Sequence, residues 1–418
     1  HFSEEDIAYL RNRKCFSESF LNYLRDFEFE CDVWAVPEGT PVFPGEPLVT
    51  VAGPMIQAQF VETMILLTIN HQSLVATKAN RMVRAAGDKL IMEFGSRRAQ
   101  GYDAAILGAR ATYIGGCGAT ACAITDRDYG VPAVGTMAHS WVQMFDSEYE
   151  AFKSYAQIYP DDCTLLVDTY NVLKSGIPNA IKVFNEVILP LGHRPKGVRI
   201  DSGDIAYLSK KARKMLDEAG FADVKIVASN SLDEYIIRDL QLQGAKLDSF
   251  GIGERLITSK SDPVFGGVYK LVAVEKDGEF IPKIKVSESP EKITNPHFKK
   301  VYRLFDSNGK AVADYVCVHD EQLDTQNPIT LTIFDPLATW KKCTLENVTA
   351  KEMLQPIFRQ GKLVYQLPDI QQIRSHCKQQ VDTLWDEVKR FENPHNYYVD
   401  LSQKLWDIKQ ELLRAGNC

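Results

Sequence analysis

The chain lacks any apolar run long enough to cross a membrane. Its longest uncharged helical stretch, residues 63–77, includes Asn70, His71 and Gln72, and it falls short of the roughly 20 residues that a span needs. It also lacks a basic excess. Lys and Arg number 48 against 55 Asp and Glu, a net charge of −7, which argues against a surface built to neutralise nucleic-acid phosphates. No two of the nine cysteines (15, 31, 117, 122, 163, 317, 343, 377 and 418) form a CxxC pair. That spacing excludes the usual zinc knuckle and dithiol pair, and the odd count reads as reduced thiols of a cytoplasmic protein. Nor is there a G-x-G-x-x-G string, the usual mark of a dinucleotide-binding turn.

What remains is a chain of 418 residues, 25% of them charged, the balance of an ordinary soluble protein. Its length exceeds what one core usually holds, so two or three domains are expected. Residues 32–53 alternate short apolar runs with Pro37, Gly39, Pro41, Pro44, Gly45 and Pro47, the chemistry of turns between short strands. Residues 54–86 change to helical spacing, with Phe60, Met64, Leu67 and Leu74 on one face.

Short apolar or β-branched runs then follow at 89–94, 131–136, 164–169, 197–202, 225–230 and 248–253. Amphipathic segments lie between most of them. One runs from Asp204 to Ala219, with Ile205, Leu208, Ala212, Met215 and Leu216 in a stripe that stops at Gly220. Another opens with a capping-box pattern at Ser231 and Glu234 and ends at Gly244. Strands alternating with helices predict a parallel sheet covered by helices. Six such units in series fit an irregular TIM-like α/β barrel better than the alternative, a doubly wound open sheet. After about Val274 the chain reads as strand-rich, with hairpin turns at Asp277-Gly278 and Asn308-Gly309. A helical tail carries Leu401, Leu405, Ile408 and Leu412 in register. The expected divisions are 1–86, an α/β core at 87–265, a strand-rich 266–369 packing with the N-terminal region, and a tail at 370–418.

In a parallel barrel the loops after the strands build the active site. Here those ends carry Arg97 and Arg98, then Thr136 and His139, then Asp168 and Tyr170. Next come Arg199 with Asp201, Ser202, Gly203 and Asp204, then Ser229 and Asn230, and finally Gly251 and Gly253. Arginine supplies forked donors to phosphate and carboxylate, and glycine bares backbone N–H groups. Asp at the same mouth suits Mg²⁺ or ribose hydroxyls. The mixture points to a sugar phosphate or diphosphate with a metal. Each residue also has a plainer reading. Arg97 and Arg98 could be surface ion pairs, His139 a scaffold histidine, Ser202 or Asp204 a helix cap, and Gly251 and Gly253 tight-turn glycines. The run Lys210, Lys211, Arg213 and Lys214 reads as a solvated helix face, and His71 as a core or interface histidine.

The strings LVATKANR (74–81), EFGSRRAQG (93–101), GTMAHS (135–140), DTYN (168–171), GVRIDSGD (197–204), ASNSLDE (228–234), GIGE (251–254) and GGVYKLVAV (266–274) resemble those of the nicotinate phosphoribosyltransferase family, as does the ending NPHNYYVDLSQKLW (393–406). The resemblance runs along nearly the whole chain. It implies ATP-coupled transfer of phosphoribosyl from 5-phosphoribosyl 1-diphosphate to nicotinate, with Mg²⁺ (or Mn²⁺) and with ATP as co-substrate. By that resemblance His139 is the histidine that ATP phosphorylates. Thr136 and Arg199 contact nicotinate, Arg97 meets the diphosphate, and Asp201 orients base and ribose. Asp168 serves metal or substrate. Ser202 and Gly203 line the substrate site. Ser229, Asn230, Gly251 and Gly253 cradle the 5′-phosphate, and Glu254 is a further phosphoribosyl-diphosphate contact. The family is expected to be a homodimer with shared active sites, its opening segment placing an Asp-x-Tyr motif against the neighbour's pyridine; this chain starts beyond that motif. Nicotinamide or quinolinate specificity, or a silent nucleotide-binding paralogue, are the competing readings.

Overall fold

The computed structural model describes residues 2–288 and 293–415. The chain folds as two compact units. The first comprises His1–Leu66, Val268–Pro368 and Gln379–Cys418, and the second Leu67–Gly267 and Asp369–Lys378.

In the first unit, β1 (Asp32–Ala35) and β2 (Val49–Ala52) pair antiparallel across the proline- and glycine-rich loop. The helix Glu62–Ala86, which begins in the first unit and continues from Leu67 in the second, follows a short helix Met55–Phe60. Its buried residues are Val75, Lys78, Ala79, Met82 and Ala86. Met64 and Leu67, on the predicted apolar face, are instead exposed, as is Met55.

The second unit holds six strands: β3 (Leu90–Glu93), β4 (Ala119–Thr120), β5 (Thr164–Leu166), β6 (Gly197–Ile200), β7 (Lys225–Asn230) and β8 (Ser249–Ile252). They pair in parallel, in the order β4-β3-β8-β7-β6-β5. Parallel strands buried on both faces need continuous apolar runs, and β7 shows the pattern, with residues 226–229 all buried. Five of the predicted strands appear. The sixth, 131–136, does not: it contributes only a parallel bridge from Ala133 to Thr120. Pro132 has no N–H to give a ladder, and the place is taken by the two-residue β4, too short to leave a periodic signal.

Helix Ile205–Glu218 matches its predicted stripe, burying Ile205, Ala212 and Leu216. Its N-cap is Asp204, whose side chain accepts from the Tyr207 N–H at 2.9 Å. In the basic run, Lys210, Lys211 and Lys214 are exposed. Arg213 departs from the solvated reading: it donates to the Val224 and Phe221 carbonyls, both at 2.6 Å, and pairs with Asp217. The predicted box at Ser231 and Glu234 is also corrected. Asp233 caps the helix Glu234–Leu242 by accepting from the N–H groups of Tyr235 and Ile236. Glu234 is meanwhile held by Lys78 and Arg81, both at 2.8 Å. An adjacent carboxylate reaching two amides outcompetes a hydroxyl two residues further back.

The remaining strands of the first unit are β9 (Ala273–Lys276), β10 (Glu279–Pro282), β11 (Lys299–Phe305), β12 (Ala311–Val318), β13 (Ile329–Phe334), β14 (Lys342–Glu352), β15 (Gln355–Arg359), β16 (Lys362–Leu363) and β17 (Val399–Leu401). β9 and β10 form a hairpin whose two turn residues, Asp277 and Gly278, both have positive φ, as a type I′ turn requires. Five strands make the sheet β13-β14-β11-β12-β17, and four make β16-β15-β1-β2. Leu401, expected in the tail helix, lies in β17 instead, paired with Val316 of β12. The helix proper is Gln403–Ala415, and its Leu405 is fully buried. The eight described cysteines are free thiols, and Cys418 lies outside the described residues.

Candidate active site

Each parallel strand of the second unit delivers its last residues to the same edge, because all six run in one sense. Arg199, near the end of β6, is the hub. Its Nε donates to Ser229 Oγ at 2.8 Å, one Nη to Thr136 Oγ1 at 2.8 Å, and the other to Asp201 Oδ1 at 3.0 Å. The guanidinium lies over the Phe94 ring, 5.8 Å from its centroid. Three of its five N–H groups are thus committed within the protein, and two are left for a ligand.

Asp201 closes this ring by accepting from the Ser229 hydroxyl. Burial raises the Asp201 pKa, but Ser229, Arg199 and nearby His139 outweigh it, so the carboxyl stays below its usual range. Asp168 joins the next strand end. Its Oδ2 accepts from the Asp201 N–H at 3.1 Å and from the Ser202 hydroxyl at 2.6 Å, while Oδ1 meets His139 Nε2 at 3.1 Å. The Asp168 side chain is 2% exposed and that of His139 40%. A buried carboxylate therefore orients a histidine that solvent and solutes can reach.

The predicted residues divide accordingly. Thr136, His139, Asp168, Arg199, Asp201, Ser202 and Ser229 form one continuous network. Gly203 follows Ser202 in the turn before the helix. Asn230 holds a positive φ of 142°, a sparsely populated conformation that concentrates at functional loops, and its side chain accepts from the Ser231 N–H. Gly251 and Gly253 stand beside the network for a reason of close approach. A Cβ on Gly251 would lie 2.6 Å from Phe94 Cδ2, and one on Gly253 would lie 2.9 Å from the Phe94 carbonyl. Glu254 opens the short helix Glu254–Ile257 and pairs with Lys260 at 3.3 Å. Arg97 lies exposed in the turn Ser96–Arg98, and among the described residues it has no hydrogen-bond or ion-pair partner.

Two residues at the end of β3 escaped the sequence reading, Phe94 and Glu93. The strand ending EFGSRR drew attention to its arginines, yet the Phe94 ring lies beneath the Arg199 guanidinium and hard against Gly251 of the neighbouring strand. Glu93 is wholly buried. Burial raises its pKa, against hydrogen bonds from Thr120 and the Gly95 N–H. Among the described residues no group of three His, Cys, Asp or Glu is placed to hold a metal ion, and no helix is long and apolar enough to cross a membrane.

Residues 90–309 match the model of the nicotinate phosphoribosyltransferase (NAPRTase) family, residues 1–70 that of the NAPRTase N-terminal domain, and residues 298–409 that of the C-terminal domain. A nicotinate phosphoribosyltransferase of Bacillus subtilis is 45% identical over 413 residues, covering 98% of this chain and 83% of its own. One from Homo sapiens is 32% identical over 449 residues, covering 94% and 82%. The crystal structure of human nicotinic acid phosphoribosyltransferase superposes with a TM-score of 0.87 at 29% identity, over 99% of this chain and 89% of that one.

Proposed function

The chain belongs to the nicotinate phosphoribosyltransferase family, and from that premise we propose that it joins nicotinate to the ribose of 5-phosphoribosyl 1-diphosphate in NAD biosynthesis. The observation that carries this reading is Arg199, braced by Ser229, Thr136 and Asp201 above the Phe94 ring. A planar ring carrying a carboxylate fits such a place. Its face lies against an aromatic, and its carboxylate takes the two uncommitted guanidinium N–H groups.

The reaction is substitution at the anomeric carbon. The pyridine nitrogen forms the new C–N bond, the C–O bond to diphosphate breaks, and its electron pair leaves with diphosphate. The transition state resembles an oxocarbenium ion, so positioning and charge supply the rate enhancement and no covalent nucleophile is needed. Asp201, held ionised, orients the base and ribose and faces the developing positive charge. Arg97 meets the diphosphate, while the backbone at Ser229, Asn230, Gly251 and Gly253 receives the 5′-phosphate, with Ser202, Gly203 and Glu254 at the rim.

Asp168 and Asp201 already accept hydrogen bonds from neighbouring groups. These two carboxylates are the residues that would hold Mg²⁺ (or Mn²⁺), a hard cation suited to oxygen donors. When bound, that ion neutralises charge on the leaving diphosphate. ATP is the co-substrate. Its γ-phosphoryl passes to the His139 ring nitrogen turned away from Asp168, ADP departs, and the phosphohistidine couples hydrolysis to transfer.

The second unit reads as an irregular TIM-like barrel. Thr136 reaching Arg199 and His139 reaching Asp168 support this reading, since they link the segment after β4 to the ends of β6 and β5. A homodimer with shared sites is the expected assembly, in the cytoplasm.

Product formation with nicotinate, nicotinamide or quinolinate, each with phosphoribosyl diphosphate, tests the reading. Preference for nicotinate supports it; preference for nicotinamide, which lacks the carboxylate, overturns the Arg199 assignment, and preference for quinolinate, which keeps it, overturns the nicotinate reading alone. Mass spectrometry after incubation with ATP tests the phosphohistidine: His139→Ala should carry no phosphate and show no stimulation by ATP, whereas unchanged coupling in that variant removes the role.

A further inference from the structure

We propose that Glu93 is a positioning residue for the turn that presents Arg97, acting through Gly95 and Thr120 without touching substrate; this rests on the assignment of Arg97 to the diphosphate. Glu93 is the last residue of β3 and is 0% exposed. One carboxyl oxygen accepts from the Gly95 N–H. The other accepts from Thr120 Oγ1 at 2.6 Å, and that hydroxyl in turn accepts from the Cys122 N–H at 3.0 Å. The Glu93 carbonyl also accepts from the Ala121 N–H at 2.8 Å. One residue thereby ties the exit of β3 to the exit of β4.

The third tie is steric. A Cβ on Gly95 would lie 2.7 Å from the Gly253 carbonyl and 2.7 Å from Ile257 Cβ, so this backbone sits directly on the exit of β8. From Gly95 the chain turns at once, its carbonyl accepting from the Arg98 N–H at 2.7 Å. Arg97 therefore projects from a turn whose first residue is held on three sides.

A carboxyl group here needs a reason. Burying it carries a desolvation cost that a leucine or methionine of similar volume would avoid. The side chain offers what they cannot, two acceptors on one rigid plane, aimed at a backbone N–H and at a hydroxyl on the neighbouring strand. A long exposed arginine loses much conformational freedom when it grips a ligand. Fixing the backbone beneath it reduces that loss, and the gain falls on the phosphoribosyl diphosphate step.

The test compares Glu93→Ala, Glu93→Gln, Arg97→Ala and the double variant Glu93→Ala/Arg97→Ala in steady-state kinetics, with the two substrates varied separately. Unfolding midpoints are measured in parallel. Misplacement on the scale of an ångström is expected to raise the phosphoribosyl diphosphate KM in Glu93→Ala by about tenfold to a hundredfold. The nicotinate KM should stay near wild type. Glu93→Gln, which keeps an acceptor for Gly95, should recover most of the loss. Glu93→Ala should add little once Arg97 is gone, because the two act as one unit. If Glu93→Ala does not fold, Thr120→Val removes one of the two contacts and takes its place in the same comparison. Equal rises in both KM values, no rise at all, or full additivity with Arg97→Ala overturns the positioning role. A silent Arg97→Ala instead removes the diphosphate assignment itself, and this role with it.

Discussion

Arg199 is held as scaffold by three neighbours, and in the reading proposed above the same side chain also meets the ligand. Three bonds within the protein fix the plane of the guanidinium before any substrate arrives. Replacing it by alanine leaves a ligand carboxylate without its partner, a loss of about 1.5–3 kcal/mol for a charged hydrogen bond. The nicotinate KM should therefore rise by one to two orders of magnitude in Arg199→Ala, and a normal value would exclude the contact. Arg199→Lys should recover little, since an ammonium cannot reproduce the fork.

A second prediction at this scale concerns Glu46, in the first unit. Burial, followed by the neighbouring Asp314 carboxylate, pushes its pKa up to about 10, so it stays protonated at neutral pH. The folded pKa lies above the unfolded one. The resulting stabilisation is complete below about pH 4.5 and is lost as pH rises toward about 10. Glu46→Gln should lessen the fall in unfolding midpoint between pH 7 and pH 9. Identical slopes for the two proteins would show that Glu46 does not titrate in this way.

At the scale of elements, the turn after β6 assigns separate tasks to neighbouring residues. Ser202 turns to Asp168, while Asp204 caps the helix Ile205–Glu218. Asp204→Ala should cost about 1 kcal/mol of stability in denaturant unfolding, the usual worth of an N-cap. Ser202→Ala should leave stability nearly unchanged but weaken the ATP-dependent stimulation, because Asp168 loses a donor while it still orients His139. If the two variants exchange these effects, the division of roles is wrong. This turn was legible in the sequence as a choice between two caps. The helix start at Asp233 was misread because Ser231 and Glu234 satisfy a local pattern, while the partners that claim Glu234 are Lys78 and Arg81 on a distant helix.

For the whole molecule, the informative surface is an apolar one. Met55 is 74% exposed and Met64 69%, with Ile56 and Phe60 also exposed nearby. Exposed large apolar side chains gathered in one short stretch commonly mark a protein interface, and a second copy of the chain is the occupant expected from the assembly proposed above. Sedimentation should show a dimer. A Met55→Glu/Met64→Glu variant should shift it toward monomer and, if sites are shared, lose activity with it; an unshifted dimer would place the interface elsewhere.

Local order was largely open to the sequence. Alternating apolar and amphipathic segments gave five of the six parallel strands, because backbone period and burial write themselves into neighbouring residues. The polar strand ends likewise marked residues that meet in one network, since parallel strands deliver their last residues to one edge. Tertiary structure alone decided which side chains meet there. Arg199 and Thr136 lie 63 positions apart, and no local period records that pairing. The same holds for Phe94 beneath Arg199, for Glu93 clasping Thr120, and for the exposed apolar side chains at residues 55–64. Each depends on distant segments being brought together or kept apart, and only packing determines that.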